Sequence, residues 1–385
     1  MSQDPSPATE PDRSLLTLAW HRQDMYSKNA VRCRSRFFLL RNVLLILGVV
    51  IVALSVTDTS LNQLQLTDSK NHNQLQQLLI SALPILQPLL SNSLVILPIT
   101  ISALLAFAVK FDRGNNWLLL RGSAELLKSE IYFYRTYTRE YQNKRNEILA
   151  KKIKIISERL KGSTVHQAAL NPYEEETPKH YKLGWILKTI KALVTLINTS
   201  LQKIWNTLFG IESLTKKNTV RDDKFSDLNA EQYLTYRLED QFFWYRTKAQ
   251  QLDRQLQFLE TSIYFFGGLG TFLAAVEQQS WIAVTVALTG ALSNYLDFQR
   301  VEATLVGYNR AADGLYDVEA WWSSLSPEQT QHPKNYDHLV IRTEAIIRNE
   351  HVSWLQDMQD RLAEIYGSAE NETDPTINNN QDKES

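Results

Sequence analysis

Residues 43–56 read VLLILGVVIVALSV and contain no charged side chain. With residues 37–40 added before them, the apolar segment reaches about 20 residues, or roughly 30 Å of helix, which is the thickness of the hydrocarbon core of a bilayer. Three further segments of this kind follow at 89–109, 261–276 and 280–296. These segments fit four membrane spans. Because three of the four uninterrupted runs are shorter than a full span, the segments also fit buried helices of a soluble bundle.

The basic residues favour the membrane interpretation, because they lie on one side of each pair of apolar segments. Five Lys or Arg residues lie between Trp20 and Arg36, whereas the connection at 58–88 has only Lys70. The second connection, Glu277-Gln278-Gln279, is short enough for a tight helical hairpin and has no basic residue. By the positive-inside rule both connections face outward, and we expect both termini in the cytoplasm.

The overall composition excludes several classes of function. The 385 residues carry a net charge of -1, which excludes a globally basic nucleic-acid binder. Cys33 is the only cysteine, so an intramolecular disulfide and a cysteine-rich zinc site are excluded. The seven histidines are not at metal-ligand spacing, and no phosphate-binding loop motif occurs. We therefore expect no catalytic residues, no cofactor, no metal and no nucleic-acid partner.

The two halves of the chain resemble each other. Trp20-His21-Arg22 and Trp244-Tyr245-Arg246 each stand about 17 residues before an apolar segment. After the segments, four positions align at an offset of 188: Leu120, Ala124, Leu127 and Tyr134 with Tyr308, Ala312, Leu315 and Trp322. Their spacing places each set on one face of a helix. The sequence thus predicts two copies of one unit, at 14–150 and 231–366.

The remaining segments are predicted to connect or flank these units. A linker at 151–230 contains an amphipathic helix at about 183–209. This helix fits the inner leaflet of a membrane, and it fits equally well against the cytoplasmic helices. The tails at 1–13 and 367–385 are predicted to be disordered, because they hold too little apolar area to order themselves.

Two groups of residues are candidates for a role within the membrane. Small residues that allow close packing of the helices of the second pair are Gly267, Thr271, Ala275, Ala283, Ala287 and Ala291. Carboxylates near the cytoplasmic ends of the segments are Asp112, Glu260 and Asp297. The carboxylates could select cations at a pore mouth, or could simply occupy the hydrated headgroup region.

The most specific sequence pattern is RGSAELLKSEIYFYR at 121–135. Together with the Trp-x-Arg pairs, it resembles the SLATT superfamily, the SMODS- and SLOG-associating two-transmembrane effector domains of bacteria. The residues that carry this resemblance are Trp20, Arg22, Arg121, Ala124, Glu125, Glu130, Tyr134, Trp244 and Arg246. The second copy departs from the pattern where Lys128-Ser129-Glu130 is replaced by Tyr316-Asp317-Val318.

The resemblance implies a pore-forming effector of a bacterial defence system in the inner (plasma) membrane, with no catalytic residues to transfer. We therefore expect an all-α integral membrane protein with four transmembrane helices, arranged as two hairpins with long cytoplasmic helices. We further expect it to contact the lipid bilayer, to form a homo-oligomer and to respond to a cytoplasmic protein sensor. The alternative is a non-conducting membrane anchor or scaffold whose cytoplasmic helices bind a protein partner.

Overall fold

The computed structural model describes residues 10–66, 74–110, 114–161 and 222–373, and these ranges consist of helices and their connections without any strand. Its helices are α1 (Glu10–Leu66), α2 (Gln74–Lys110), α3 (Gly114–Arg135), α4 (Arg145–Lys161), α5 (Ala230–Tyr233), α6 (Asp240–Ala275), α7 (Gln279–Gln299), α8 (Val301–Ser323), α9 (Pro327–Thr330) and α10 (Pro333–Thr373). A π-helical segment, Leu234–Glu239, joins α5 to α6. The predicted all-α class is confirmed. The amphipathic helix predicted at 183–209 lies outside the described residues.

Both tails that the sequence predicts to be disordered are helical in part. Helix α1 starts at Glu10, and Asp12 is buried, where it accepts a hydrogen bond from Asn146 Nδ2 at 2.8 Å and pairs with Arg145. The described helix thus starts within the range 1–13 that the sequence predicts as a disordered tail, and the buried contacts of Asp12 order this end. At the other end α10 continues to Thr373, inside the predicted tail at 367–385.

The first connection is also more ordered than the sequence suggested. The predicted loop at 58–88 is helical in its described parts, because α1 continues to Leu66 and α2 begins at Gln74. Residues 58–66 contain neither Gly nor Pro, so no residue of that stretch stops the helix. Gln87 Nε2 donates to Asn62 Oδ1 at 3.0 Å, which links the two helices. Helix α2 itself continues through Pro84, Pro88 and Pro98.

The second connection is a tight turn at the predicted position. Glu277 adopts a left-handed conformation with φ of 59° directly after α6. The backbone N–H of Gln278 donates to the Leu273 carbonyl at 2.9 Å, and that of Glu277 donates to the Ala274 carbonyl at 3.3 Å. These two bonds form a Schellman motif, which satisfies the last carbonyls of α6 before α7 begins.

The chain forms two compact units that do not coincide with the two sequence copies. Unit 1 comprises the described residues of Met1–Arg32, Asn116–Thr247 and Asn309–His351, and unit 2 those of Cys33–Asn115, Lys248–Tyr308 and Val352–Ser385. Unit 2 contains all four predicted apolar segments. Unit 1 contains most of the helical sequence predicted to be cytoplasmic, and each copy contributes to both units.

The repeat positions are buried in both copies, as their helical spacing predicted. Leu127 and Leu315 are both 0% exposed, and Trp322 has the largest exposure of the eight at 9%. The remaining five repeat positions are also buried: Leu120, Ala124, Tyr134, Tyr308 and Ala312. The common face of α3 and α8 is therefore a core face.

Candidate functional sites: exposed apolar helices and a buried charged centre

Among the described residues, three helical stretches are long and apolar enough to cross a membrane: Asp12–Gln63, Gln87–Ala106 and Ala230–Ala275. Only 11%, 6% and 11% of the residues in their most apolar 18-residue windows are buried within the protein. A soluble bundle stabilises itself by hiding such surface from water, and an exposed apolar area of this extent is typical of contact with lipid or with other chains. The structure therefore supports a membrane protein over the soluble bundle.

The fourth predicted span, 280–296, is helical as α7 but is not among these three stretches. Ser, Thr and Asn make up a larger share of its sequence than of the other three segments, and they include Ser280, Thr285, Thr289 and Asn294. Thr285 and Thr289 turn their hydroxyls back to the helix, donating to the carbonyls of Ile282 and Thr285 at 2.8 and 2.9 Å. Such backbone bonding reduces the cost of a polar residue in lipid and is therefore compatible with insertion of α7. Insertion of α7 stays a prediction.

Helices α6 and α7 approach each other closely at Gly270, which is buried. A Cβ atom added there would lie 2.8 Å from Thr285 Oγ1, whereas one added to Gly267 would meet nothing within 4 Å. Of the small residues proposed for helix packing, Gly267, Thr271, Ala275 and Ala283 are exposed, and Ala287 and Ala291 are half-buried. Within this chain the contact therefore uses a different glycine from those singled out in the sequence.

The role of the candidate carboxylates at a pore mouth stays a prediction. Glu260 and Asp297 are both exposed, and one precedes the segment 261–276 while the other follows the segment 280–296, so in a hairpin of these two segments they lie at the same end. Asp112 lies outside the described residues. Among the described residues no group of three His, Cys, Asp or Glu side chains could hold a metal ion.

The strongest polar arrangement in the structure lies inside unit 1, around Glu344 of α10. Glu344 is 0% exposed and Arg237 of the π-helical segment is 1% exposed. Arg237 donates from Nε to Glu344 Oε1 at 2.7 Å and from Nη2 to Oε2 at 2.9 Å. Ser129 Oγ donates to Oε2 at 2.8 Å, and the Tyr233 hydroxyl donates to Oε1 at 3.1 Å. We call these four residues the Glu344 centre.

The electrostatics of the Glu344 centre favour its charged form. Burial alone would lower the pKa of Arg237, but the carboxylate of Glu344 outweighs burial and raises it. The guanidinium carbon also lies 4.4 Å from the centroid of the Tyr132 ring, a cation–π contact. Burial, with the charge of Arg237, lowers the pKa of the neighbouring Lys128. A buried pair of this kind fixes one arrangement of helices more than it adds stability, because desolvation offsets much of the attraction.

The Glu344 centre joins the two sequence copies. Ser129 belongs to the first copy, while Tyr233, Arg237 and Glu344 belong to the second. Ser129 lies in the part of the family pattern that the second copy replaces with Tyr316-Asp317-Val318. The copies are therefore not interchangeable: the first supplies a hydroxyl donor, and the second supplies the buried ion pair.

Several family-pattern residues of the first copy form side-chain hydrogen bonds within unit 1. Trp20 Nε1 donates to the Lys224 carbonyl at 2.8 Å, and Arg22 Nη1 donates to Ser157 Oγ at 2.6 Å. The Tyr134 hydroxyl donates to Asn146 Oδ1 at 2.6 Å, and Glu130 accepts from the Tyr141 hydroxyl at 2.7 Å. Ala124 is buried, whereas Trp244 and Arg246 of the second copy are exposed. The two Trp-x-Arg pairs thus have different surroundings.

Glu125 and Arg121 of α3 lie close to His351 of α10. Burial alone would raise the pKa of Glu125, but nearby positive charges, Lys128 first among them, lower it. Burial also lowers the pKa of His351 to about 4. Glu350 has the opposite shift, because burial raises its pKa to about 7 despite a hydrogen bond from the Tyr245 hydroxyl at 3.1 Å.

A second buried arginine was also missed by the sequence analysis. Arg135, at the end of α3, is 0% exposed and donates to both carboxylate oxygens of Asp222, at 2.8 and 2.7 Å. Its backbone carbonyl accepts from the Leu228 N–H at 2.8 Å. This bidentate pair holds the segment before α5 against α3.

Comparison with known families matches both halves of the chain. Residues 233–354 match the SMODS and SLOG-associating 2TM effector domain 1, and residues 21–148 match a protein family of unknown function, DUF4231. No curated protein and no solved structure shows significant similarity to the chain. The matched ranges confirm the resemblance drawn from the sequence and indicate a membrane-associated effector. Residues 233–354 therefore belong to the SLATT superfamily, and the match over 21–148 is consistent with a second, tandem copy of the same kind of unit.

Proposed function

We propose that the protein is a membrane-embedded effector that forms an oligomeric pore or channel in the bacterial inner membrane, as part of a defence system. The observation that carries this proposal is the exposure of the apolar helices, whose most apolar windows are at most 11% buried. A helix surface of this kind is stable only when lipid or another chain covers it. The effector domain matched at 233–354 agrees with such a role.

An oligomer follows from the number of helices that one chain supplies. Four helices pack into a tight bundle with little room for an aqueous lumen, so conduction requires several chains around a common axis. If each chain makes the same contact with the next chain around that axis, α6 and α7 of every chain lie beside helices of the neighbouring chains. The exposed small residues Gly267, Thr271 and Ala275 are suited to such a contact, because small side chains let helix backbones approach closely.

The proposed trigger acts on unit 1, which lies in the cytoplasm under the proposed topology. A cytoplasmic protein sensor would bind unit 1 and change the arrangement of α6, which continues from unit 1 into the apolar segment. The protein acts in this proposal by breaching the membrane and not by catalysis.

Reconstitution into liposomes loaded with a fluorescent dye and an ion reporter tests the pore. The proposal predicts leakage from liposomes that contain the assembled wild-type protein. Gly270→Ala should reduce leakage, because the added Cβ meets Thr285 Oγ1 at 2.8 Å, whereas Gly268→Ala is the matched control with nothing within 4 Å. Absence of both dye and ion leakage from every assembled state would reject a pore.

The second candidate function is a non-conducting anchor or scaffold. It is favoured by exposed aromatic side chains of unit 1, because Phe243, Trp244 and Tyr316 are 43%, 38% and 60% exposed. Exposed aromatic side chains of this kind often contact a protein partner. Replacing the four apolar segments with unrelated membrane hairpins separates the two functions: cellular activity is retained by a scaffold and lost by a pore.

A further inference from the structure

Three aromatic side chains of unit 1 lie side by side at the start of α6 and on α8. The ring of Phe242 is next to those of Phe243 and Tyr316, with centroids 5.5 and 6.2 Å apart. Phe243 and Tyr316 are 43% and 60% exposed, and Phe242 is half-buried. Neighbouring apolar side chains that remain this exposed are typical of a surface that another element covers. We call these three residues the aromatic row.

The aromatic row is bordered by negative charge. Glu239 lies one helical turn before Phe243, and Glu319 lies one turn after Tyr316. Burial, and then the charge of Glu239, raises the pKa of Glu319, which indicates that the two carboxylates lie near each other. Within four positions of the aromatic row the sequence has one basic residue, Arg246, and five acidic ones, Glu239, Asp240, Asp313, Asp317 and Glu319. The surroundings of the row are therefore negative.

A segment with the complementary composition occurs in the same chain. The amphipathic helix that the sequence predicts at 183–209 has three lysines, Lys188, Lys191 and Lys203, and no acidic residue. Its apolar residues recur at intervals of three and four, beginning with Ile186 and Ile190, and so form one stripe along the helix. An apolar stripe with basic residues beside it matches an aromatic surface with an acidic border.

The chain keeps this segment close to unit 1. Residues 162–221 connect the end of α4 to Asp222, and both ends of this connection belong to unit 1. Residues 210–221 alone span up to about 40 Å when extended. A segment tethered in this way has an effective concentration on the order of a millimolar at a surface within its reach. The tether therefore favours the segment over a separate protein as the group that covers the aromatic row.

We propose that the aromatic row binds the segment 183–209 of the same chain as an amphipathic helix. The apolar stripe covers Phe242, Phe243 and Tyr316, and the lysines face Glu239 and Glu319. This inference concerns unit 1 alone and rests neither on membrane insertion nor on conduction. It assigns the predicted helix to the cytoplasmic helices and not to the inner leaflet. A protein partner that uses the same aromatic side chains would have to displace the segment.

An exposed isoleucine of α4 provides a matched control position within unit 1. Ile155 is 43% exposed, as Phe243 is. Its surroundings have the opposite charge, because Lys151, Lys154 and Arg159 lie within four positions of it and Glu158 is the only acidic residue there. A segment whose charged side chains are all lysines is repelled at such a position.

The experiment uses the full-length protein in nanodiscs of phosphatidylethanolamine and phosphatidylglycerol, whose anionic surface competes for the segment. The photoreactive residue p-benzoylphenylalanine replaces Tyr316 in one protein and Ile155 in the control. After illumination and digestion, mass spectrometry identifies the cross-linked peptides. We expect position 316 to link to peptides from 183–209 of the same chain, and position 155 not to link to them. Links from position 316 to lipid or to another chain, without links to 183–209 of the same chain, would overturn the proposal.

A charge swap guards against a folding defect. Glu239→Lys/Glu319→Lys should lower the yield of the cross-link to 183–209 about fivefold, because two attractions become repulsions. Adding Lys188→Glu, Lys191→Glu and Lys203→Glu should restore the yield, which a misfolded unit 1 would not do. An unchanged yield in the first variant, or no recovery in the second, would also overturn the proposal.

Discussion

Replacing Glu344 by leucine tests the buried centre of unit 1 most sharply. Glu344 accepts four hydrogen bonds, from Ser129, Tyr233 and twice from Arg237, and it is 0% exposed. Glu344→Leu leaves the Arg237 charge buried without its partner, and breaking a buried pair in this way costs about 3–5 kcal/mol. The hydroxyls of Ser129 and Tyr233 also lose their acceptor, at about 1–3 kcal/mol each if they find no other.

The double variant Arg237→Met/Glu344→Leu separates these contributions. It removes the uncompensated charge and fills the space with apolar side chains, a replacement that is often neutral for stability. Only the two hydroxyls then lack an acceptor. We therefore expect the double variant to be more stable than Glu344→Leu by about 3 kcal/mol, most of the charge-related loss.

The assay is denaturant unfolding of the full-length protein in detergent, followed by far-ultraviolet circular dichroism. Glu158→Leu is the matched control, because Glu158 pairs with Lys154 at 3.8 Å on the surface of α4, where their side chains are 50% and 75% exposed. An exposed pair contributes at most about 1 kcal/mol. The reasoning fails if Glu344→Leu costs no more than Glu158→Leu, or if the double variant is no more stable than the single one.

Three further predictions concern pH and helix packing. Burial raises the pKa of Glu350 from 4.5 to about 7, so the stability that this carboxyl contributes below pH 4.5 is lost as the pH rises through 7. Glu350→Gln should therefore raise the free energy of unfolding by up to ~3 kcal/mol at alkaline pH and leave it unchanged in acid. Denaturant titration at both pH values measures this difference. Burial lowers the pKa of His351 from 6.5 to about 4, so the stability contributed by the neutral imidazole is present above pH 6.5 and lost as the pH falls through 4. Thermal unfolding of His351→Leu should therefore show a smaller loss of stability over that pH interval than the wild type. An equal loss in both proteins would contradict the lowered pKa of His351. Gly270→Ala should destabilise the α6–α7 contact by about 1–3 kcal/mol relative to Gly268→Ala in unfolding by sodium dodecyl sulfate, and adding Thr285→Ala should restore it by removing the hydroxyl 2.8 Å from the new Cβ.

The sequence predicts the features of this protein that depend on short-range pattern. Charge-free runs locate the apolar segments, and the spacing of Leu120, Ala124 and Leu127 identifies the core face of α3, because both depend only on helical periodicity and composition. The turn at Glu277 is likewise local, since two long apolar segments leave only three residues for it.

The features that the sequence analysis missed depend on contacts between distant residues. Arg237 and Glu344 are separated by 107 positions, and each alone looks like an ordinary charged residue on a helix. One signal was available: Arg237 is four residues after Tyr233 and eight before Tyr245, so it shares a helix face with two aromatic residues, and a charge buried on such a face needs a partner. The use of Gly270 in place of Gly267 depends on how α6 is rotated against α7, and side-chain size alone does not determine that rotation.

The most direct test of the central claim is the side of the membrane on which each connection lies. Single cysteines at Gln278, in the turn between α6 and α7, and at Lys154, exposed on α4 of unit 1, are introduced into a Cys33→Ser background. Spheroplasts with an intact inner membrane are treated with a membrane-impermeant maleimide. The account predicts labelling of Gln278→Cys before lysis, and labelling of Lys154→Cys only after lysis. Labelling of Lys154→Cys from outside, or protection of Gln278→Cys until lysis, would contradict it.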